Sequence, residues 1–171
     1  MNVQITTAAD IESIILTLSR DDIHLRQEAR AALEKLGKPA VPLLIKLLQS
    51  SKADHVRWEA AKTLTSIGDE RAIPALVKAL EDRDQDVAWL AAVALRKFKI
   101  RALKPLLHAL INDGEDSVSL RQGAHHILKN QKANGMTDLI ISLTEALEPS
   151  ALPELMIIAA TALLKRINAK T

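Results

Sequence analysis

The sequence predicts an all-α protein, an α-solenoid of about five helix pairs. Three observations predict it. Apolar residues recur at three- and four-residue spacing throughout, and alternation with period two is absent. A nine-residue pattern returns five times, as "LRQEARAAL" at 25–33, "VRWEAAKTL" at 56–64, "VAWLAAVAL" at 87–95, "LRQGAHHIL" at 120–128 and "LMIIAATAL" at 155–163. Successive starts differ by 31, 31, 33 and 35 residues. A period in that range marks stacked helical repeats, because one helix pair cannot cover its own apolar stripe.

The elements follow in order. Each segment opens with an aliphatic residue, has Ala fifth and ends in Leu, and three carry Arg second: Arg26, Arg57 and Arg121. Their partner helices are "AVPLLIKLL" at 40–48, "AIPALVKAL" at 72–80 and "ALKPLLHAL" at 102–110, with weaker counterparts "IESIILTL" at 11–18 and "MTDLIISLTEAL" at 136–147. Gly37 and Gly68 follow Leu-ended segments, where a left-handed residue closes a helix. Pro42 and Pro74 fall in first turns, where a missing N–H does no harm. Asp22, Asp54 and Asp84 stand at or beside N-cap positions. The expected repeat units are 8–37, 38–68, 69–99, 100–131 and 134–168, in one domain over 1–171.

Bulk properties bound the function. The chain has 171 residues, 48% hydrophobic and 26% charged, enough to bury a core and stay in solution. No stretch approaches the roughly 20 apolar residues of a membrane helix. The first residues lack the basic and apolar regions of a secretory signal, so a cytoplasmic protein without a membrane is expected. The net charge of +2 argues against nucleic acid as partner. With no Cys, disulfides and thiolate metal sites are excluded. The five histidines show no metal-ligand spacing. No phosphate loop, nucleophile elbow or zincin motif occurs, and neither enzyme activity nor a cofactor is expected.

The unit "DHVRWEAAKTLTSIGDERAIPALVKALED" at 54–82 resembles the HEAT-repeat family, in particular its short repeats of the phycobilisome-lyase type. The resemblance runs over nearly the whole chain. It implies that the Arg-bearing helices line a concave face and that Arg26, Arg57 and Arg121 form a ladder with turn aspartates, broken at Ala88 and Met156. The family implies scaffolds and transport receptors more often than enzymes. It does include iron-binding hydroxylases with His-Glu pairs, and no His-Glu dipeptide occurs here. It also includes DNA glycosylases, for which Glu59 beside Trp58 would be the carboxylate, and phycobilin-lyase subunits. Both remain alternatives to a protein-binding scaffold.

The two tryptophans, Trp58 and Trp89, take the same slot in adjacent repeats, 31 residues apart. At about 100° per residue, Ala60, Leu64 and Ile67 share the stripe of Val56, and Trp58 falls roughly opposite. Helices stacked side by side lie about 10 Å apart, so the indoles are expected to touch or to flank a groove. The partner is expected to be another protein or peptide held there. Trp58 and Trp89 are the anchors, Leu90, Val93 and Ile157 the apolar support, and His55, Glu59, Lys62, Gln122 and His126 the polar rim. In the fifth repeat Leu155, Ala159 and Leu163 read as core, which leaves Ile157 and Ile158 outward. That helix is therefore expected to meet another chain, as in a homo-oligomer, to keep the groove apolar to its end, or to be tucked inward by its irregular spacing.

Overall fold

The computed structural model describes residues 8–169. Those residues form ten α-helices, three short 3-10 turns and no strand. The chain divides into two compact units, 1–75 and 76–171.

In the first unit α1 (Ala8–Thr17) pairs with α2 (Ile23–Leu36), and α3 (Val41–Ser50) pairs with α4 (Asp54–Ile67). Helices α2 and α4 lie side by side. Local chemistry sets the ends. Asp22 accepts from the backbone N–H groups of His24 and Leu25 and so caps α2. Gly37 (φ 73°) and Gly68 (φ 69°) close α2 and α4 in backbone conformations that exclude most side chains. Asp54 is the first residue of α4 rather than its cap, and accepts from the His55 N–H. Leu18, Leu33, Leu44 and Leu64 are fully buried, each worth about 1.5–3 kcal/mol of transfer free energy. Ile67, expected in the core, is only half-buried because it sits in the last turn before Gly68. The turn Glu70–Ala72 is capped by Asp69, whose two oxygens accept from Arg71. The Arg71 guanidinium lowers the Asp69 carboxyl to about 2.

Helix α5 (Ile73–Lys78) runs from the first unit into the second and continues as the turn Ala79–Glu81. The second unit then holds α6 (Gln85–Phe98), α7 (Ile100–Asp113), α8 (Val118–Leu128), α9 (Thr137–Ala146) and α10 (Pro153–Asn168). Helices α6 and α8 lie side by side, and α7 packs on both. Ala91, Leu95 and Phe98 are buried as expected. Asp84 caps α6, and Ser117 caps α8.

The fifth repeat departs from the register. Helix α10 packs mainly on α7 and α9 instead of extending the row of α6 and α8. At Gly114 a Cβ would collide with the Leu110 carbonyl oxygen, so the turn after α7 favours glycine. The buried stripe of α10 is Met156, Ala159, Ala160 and Leu163. Leu155, expected inside, is 50% exposed, and Ile158 is 65% exposed. Relative to the expected stripe the helix is turned by about 50° at about 100° per residue, and its outward face at Leu155 and Ile158 stays uncovered within the chain.

Candidate functional site

The outward face of α4 carries His55, Trp58 and Lys62 at spacings of three and four, which align them along the helix. Trp58 is half-buried, and Lys62 Nζ lies 4.3 Å from its ring centroid. The ammonium covers the indole face, a cation–π contact that also shields the apolar surface. Glu59 does not belong to a polar rim. It is 4% exposed; its Oε2 accepts from Arg30 at 2.8 Å, and Arg26 Nε stands 3.8 Å from Oε1. The pair ties α4 to α2. A carboxylate so placed is enclosed by cations and presents no face to a substrate.

The repeat arginines hold backbone carbonyls. Arg26 Nη1 donates to the Arg20 carbonyl, Arg57 Nη1 to Ser51 and Lys52, and Arg121 Nη1 to Gly114 and Glu115. Each one clamps carbonyls in the turn that leads into its own helix. Carbonyls left without partners near helix ends favour such cations.

In the second unit a groove of about 470 Å³ runs between α6 and α8. Ala88, Trp89 and Ala92 supply one wall, and Ser119, Gln122, Gly123 and His126 the other. Leu80 and Asp82 close it from the preceding turn, with Gln85 and Asp86 at its mouth. Trp89 is 61% exposed on this wall. Gly123 lets the walls come close: a Cβ there would lie 2.9 Å from Leu80 Cδ2. Thus Trp89, Gln122 and His126 line one groove.

Seven of the ten expected residues are not in this groove: His55, Trp58, Glu59 and Lys62 lie on α4, and Leu90, Val93 and Ile157 are also off its lining. Leu90 is 8% exposed and belongs to the buried side of α6, about 100° from Trp89. Val93 is half-buried and lies off the lining. Ile157 left the row together with α10, because its 35-residue spacing carries that helix onto α7 and α9. Sequence reasoning missed Ala92 and Gly123. Ala92 lies three residues after Trp89, so its small side chain opens space beside the ring. Gly123 takes the slot that Glu59 fills in α4, and a lone Gly within a repeated helix was the available signal. His125, one residue from the groove, hydrogen-bonds Glu148 at 3.0 Å. Among the described residues no three His, Asp or Glu side chains gather as a metal site, and no helix is long and apolar enough to cross a membrane.

This is the architecture of an all-α helical-repeat protein whose outward helix faces form a groove. Comparison with known proteins gives the family. The HEAT-repeat model matches residues 11–96, half of the chain. The chain belongs to the HEAT-repeat family. No curated protein matches it by sequence. Among solved structures, a chain from the complex of CpcE and CpcF of phycocyanin lyase from Nostoc sp. PCC7120 is similar, with 22% identity and a TM-score of 0.55. The alignment covers 92% of this chain and 99% of that one. An engineered protein aligns over 95% of this chain and 81% of its own, at 22% identity and a TM-score of 0.43. At such identities the likeness concerns the fold alone.

Proposed function

We propose that this protein is an interaction module, and that the groove between α6 and α8 holds a segment of a partner protein with Trp89 as anchor. One observation carries the reading: a tryptophan 61% exposed on the wall of a groove of about 470 Å³. Indoles are enriched among residues that dominate binding energy, and an uncovered apolar wall with a polar edge is what such segments use. Gln122, Ser119 and His126 supply donors and acceptors to orient a backbone. Trp58, His55 and Lys62 form a second, more closed face that we assign a lesser part. The similar chain in the CpcE–CpcF structure was seen with a protein partner, and a partner is the element of that description we extend to this chain. A lyase-like subunit is the second reading, and it requires the same kind of contact. Glu59 is enclosed by Arg30, which weighs against the glycosylase reading.

The test is a selection of random 12-residue peptides displayed on phage against the wild-type protein. Each enriched peptide is then titrated by fluorescence anisotropy. Trp89→Ala is expected to weaken these peptides about 30-fold, the equivalent of roughly 2 kcal/mol for an anchor. Equal binding to Trp89→Ala, or no enrichment at all, sinks the proposal.

A further inference from the structure

The groove at Trp89 has a continuation. On α6, Gln85, Trp89, Ala92 and Arg96 follow at spacings of four, three and four, so they share one helix face. On α8 the matching line is Ser119, Gln122 and His126, prolonged past the helix end to Asn130. A second depression, about 750 Å³, opens at that far end. Arg96, Lys99 and Lys132 line it together with Asn130 and Gln131. Among the described residues none of the three cations makes an ion pair. Helix α7 starts at the same place with no side-chain cap and no acidic residue in its first turn, so the positive end of its dipole adds to the field. The other end of the line carries the exposed Asp86.

Lys99 occupies this depression against its backbone preference. Its φ of 53° and ψ of −129° nearly match the φ of 73° and ψ of −131° of Gly37, which closes α2 in the same way. A lysine stands where the first repeat uses glycine. Strain held at such a site points to function, and here it adds a cation to two others.

From this polarity we propose that the groove takes its partner segment in one direction: an apolar residue seats at Trp89, and an acidic cluster two turns away seats among Arg96, Lys99 and Lys132. Seven residues of α6 separate Trp89 from Arg96, a rise of about 10 Å. The occupant is an acidic-tipped peptide segment, apolar at one end. The argument is charge complementarity, with the exposed Asp86 carboxylate at the groove's other mouth repelling the reverse orientation. A nucleic acid fits less well, since Asp86 would face its phosphates. This inference rests on the protein-binding reading above and adds the partner's chemistry to it.

The experiment uses the full chain and the phage-selected 12-residue peptides. The enriched set is expected to pair an apolar residue with two or more Asp or Glu on one side of it. The Arg96→Glu/Lys99→Glu/Lys132→Glu protein is expected to bind those peptides at least tenfold more weakly, and to regain binding when their acids are changed to Lys. All three positions are exposed, so the fold is retained, and circular dichroism verifies it. Lys97→Glu, a single charge reversal off the groove face, is expected to leave affinity unchanged, whereas Arg96→Glu alone is expected to weaken binding. Peptides that depend on Trp89 yet show no acidic tip and no response to the triple reversal overturn this inference and leave the interaction reading standing. Peptides indifferent to Trp89 overturn that reading instead. A single-stranded oligonucleotide that displaces the peptides, and loses binding in the triple variant, assigns the cations to phosphate and also overturns the inference.

Discussion

Helices α4 and α6 are two copies of one segment, and they treat the same tryptophan slot differently. In α4 the residue four places on is Lys62, whose ammonium lies over the Trp58 ring. In α6 that place holds Val93, too short and uncharged to cover an indole, and Trp89 stands 61% exposed. The next slot differs in the opposite sense. Glu59 is buried in α4 and bound by Arg30, whereas α6 has Leu90 there. The difference teaches that slot position alone does not make an anchor. The side chain one turn later decides whether the ring faces solvent or its own helix.

The largest expected effect lies at the charged slot. Arg30→Ala leaves the buried Glu59 carboxylate with Arg26 alone, 3.8 Å away, and breaking such a pair costs about 3 kcal/mol. Glu59→Leu, which gives α4 the residue of α6, is expected to cost less than about 1.5 kcal/mol, since apolar replacement of a buried charge is often near neutral. Urea denaturation of both variants checks the order, and a costlier Glu59→Leu breaks the comparison.

The tryptophans come next. Truncating a fully buried Trp costs about 3–5 kcal/mol, so the half-buried Trp58 is expected to lose about 2 kcal/mol on change to Ala. Trp89→Ala is expected to stay within about 0.5 kcal/mol, as exposed sites do. Equal losses in thermal melts would remove the distinction between the two helices.

A third contrast concerns how the helices end. Lys99→Gly restores at α6 the residue that closes α2 and α4, and relief of the backbone strain, less the entropy of glycine, is expected to raise stability by about 1 kcal/mol. The same variant is expected to weaken acidic-tipped peptides. Higher stability with unchanged binding would show that Lys99 has no part in recognition.

Val93→Lys converts α6 toward α4 directly. A lysine one turn after Trp89 is expected to cover the ring, worth about 0.5–1 kcal/mol at an exposed site. In a Trp58→Phe background the emission should shift to the blue, acrylamide quenching should fall, and peptide binding should weaken. Unchanged fluorescence refutes the role given to Lys62.

The smallest effect is at Asp69. Its folded pKa of about 2 lies below the ordinary value of 3.8, through the Arg71 hydrogen bonds. Its contribution to stability is therefore present above pH 3.8 and is lost as pH falls toward 2. Arg71→Ala is expected to return the carboxyl toward 3.8, read by NMR titration.

Much of this molecule was legible beforehand. The five segments, the glycine closures at Gly37 and Gly68, the aspartate cap of α2 and the outward phase of Trp89 follow from local chemistry and helical periodicity. These depend on neighbours within a few residues, which a sequence displays directly. The misreadings share another origin. Register places Leu155 in the core, but α10 seats on α7 and α9, neighbours that the helix's own pattern does not display. Glu59 was read as rim because a carboxylate on an outward face normally seeks water; only the approach of α2 supplied Arg30 at 2.8 Å and drew it inside. The cation cluster was hidden for the same reason, since Lys132 is 36 and 33 residues from Arg96 and Lys99 and meets them only in the fold. The sequence by itself determined that helices would form, where they would stop and which stripe each would bury. Tertiary structure alone decided which helices became neighbours, and so which charges were paired, which aromatic ring was left open and where a groove came to lie.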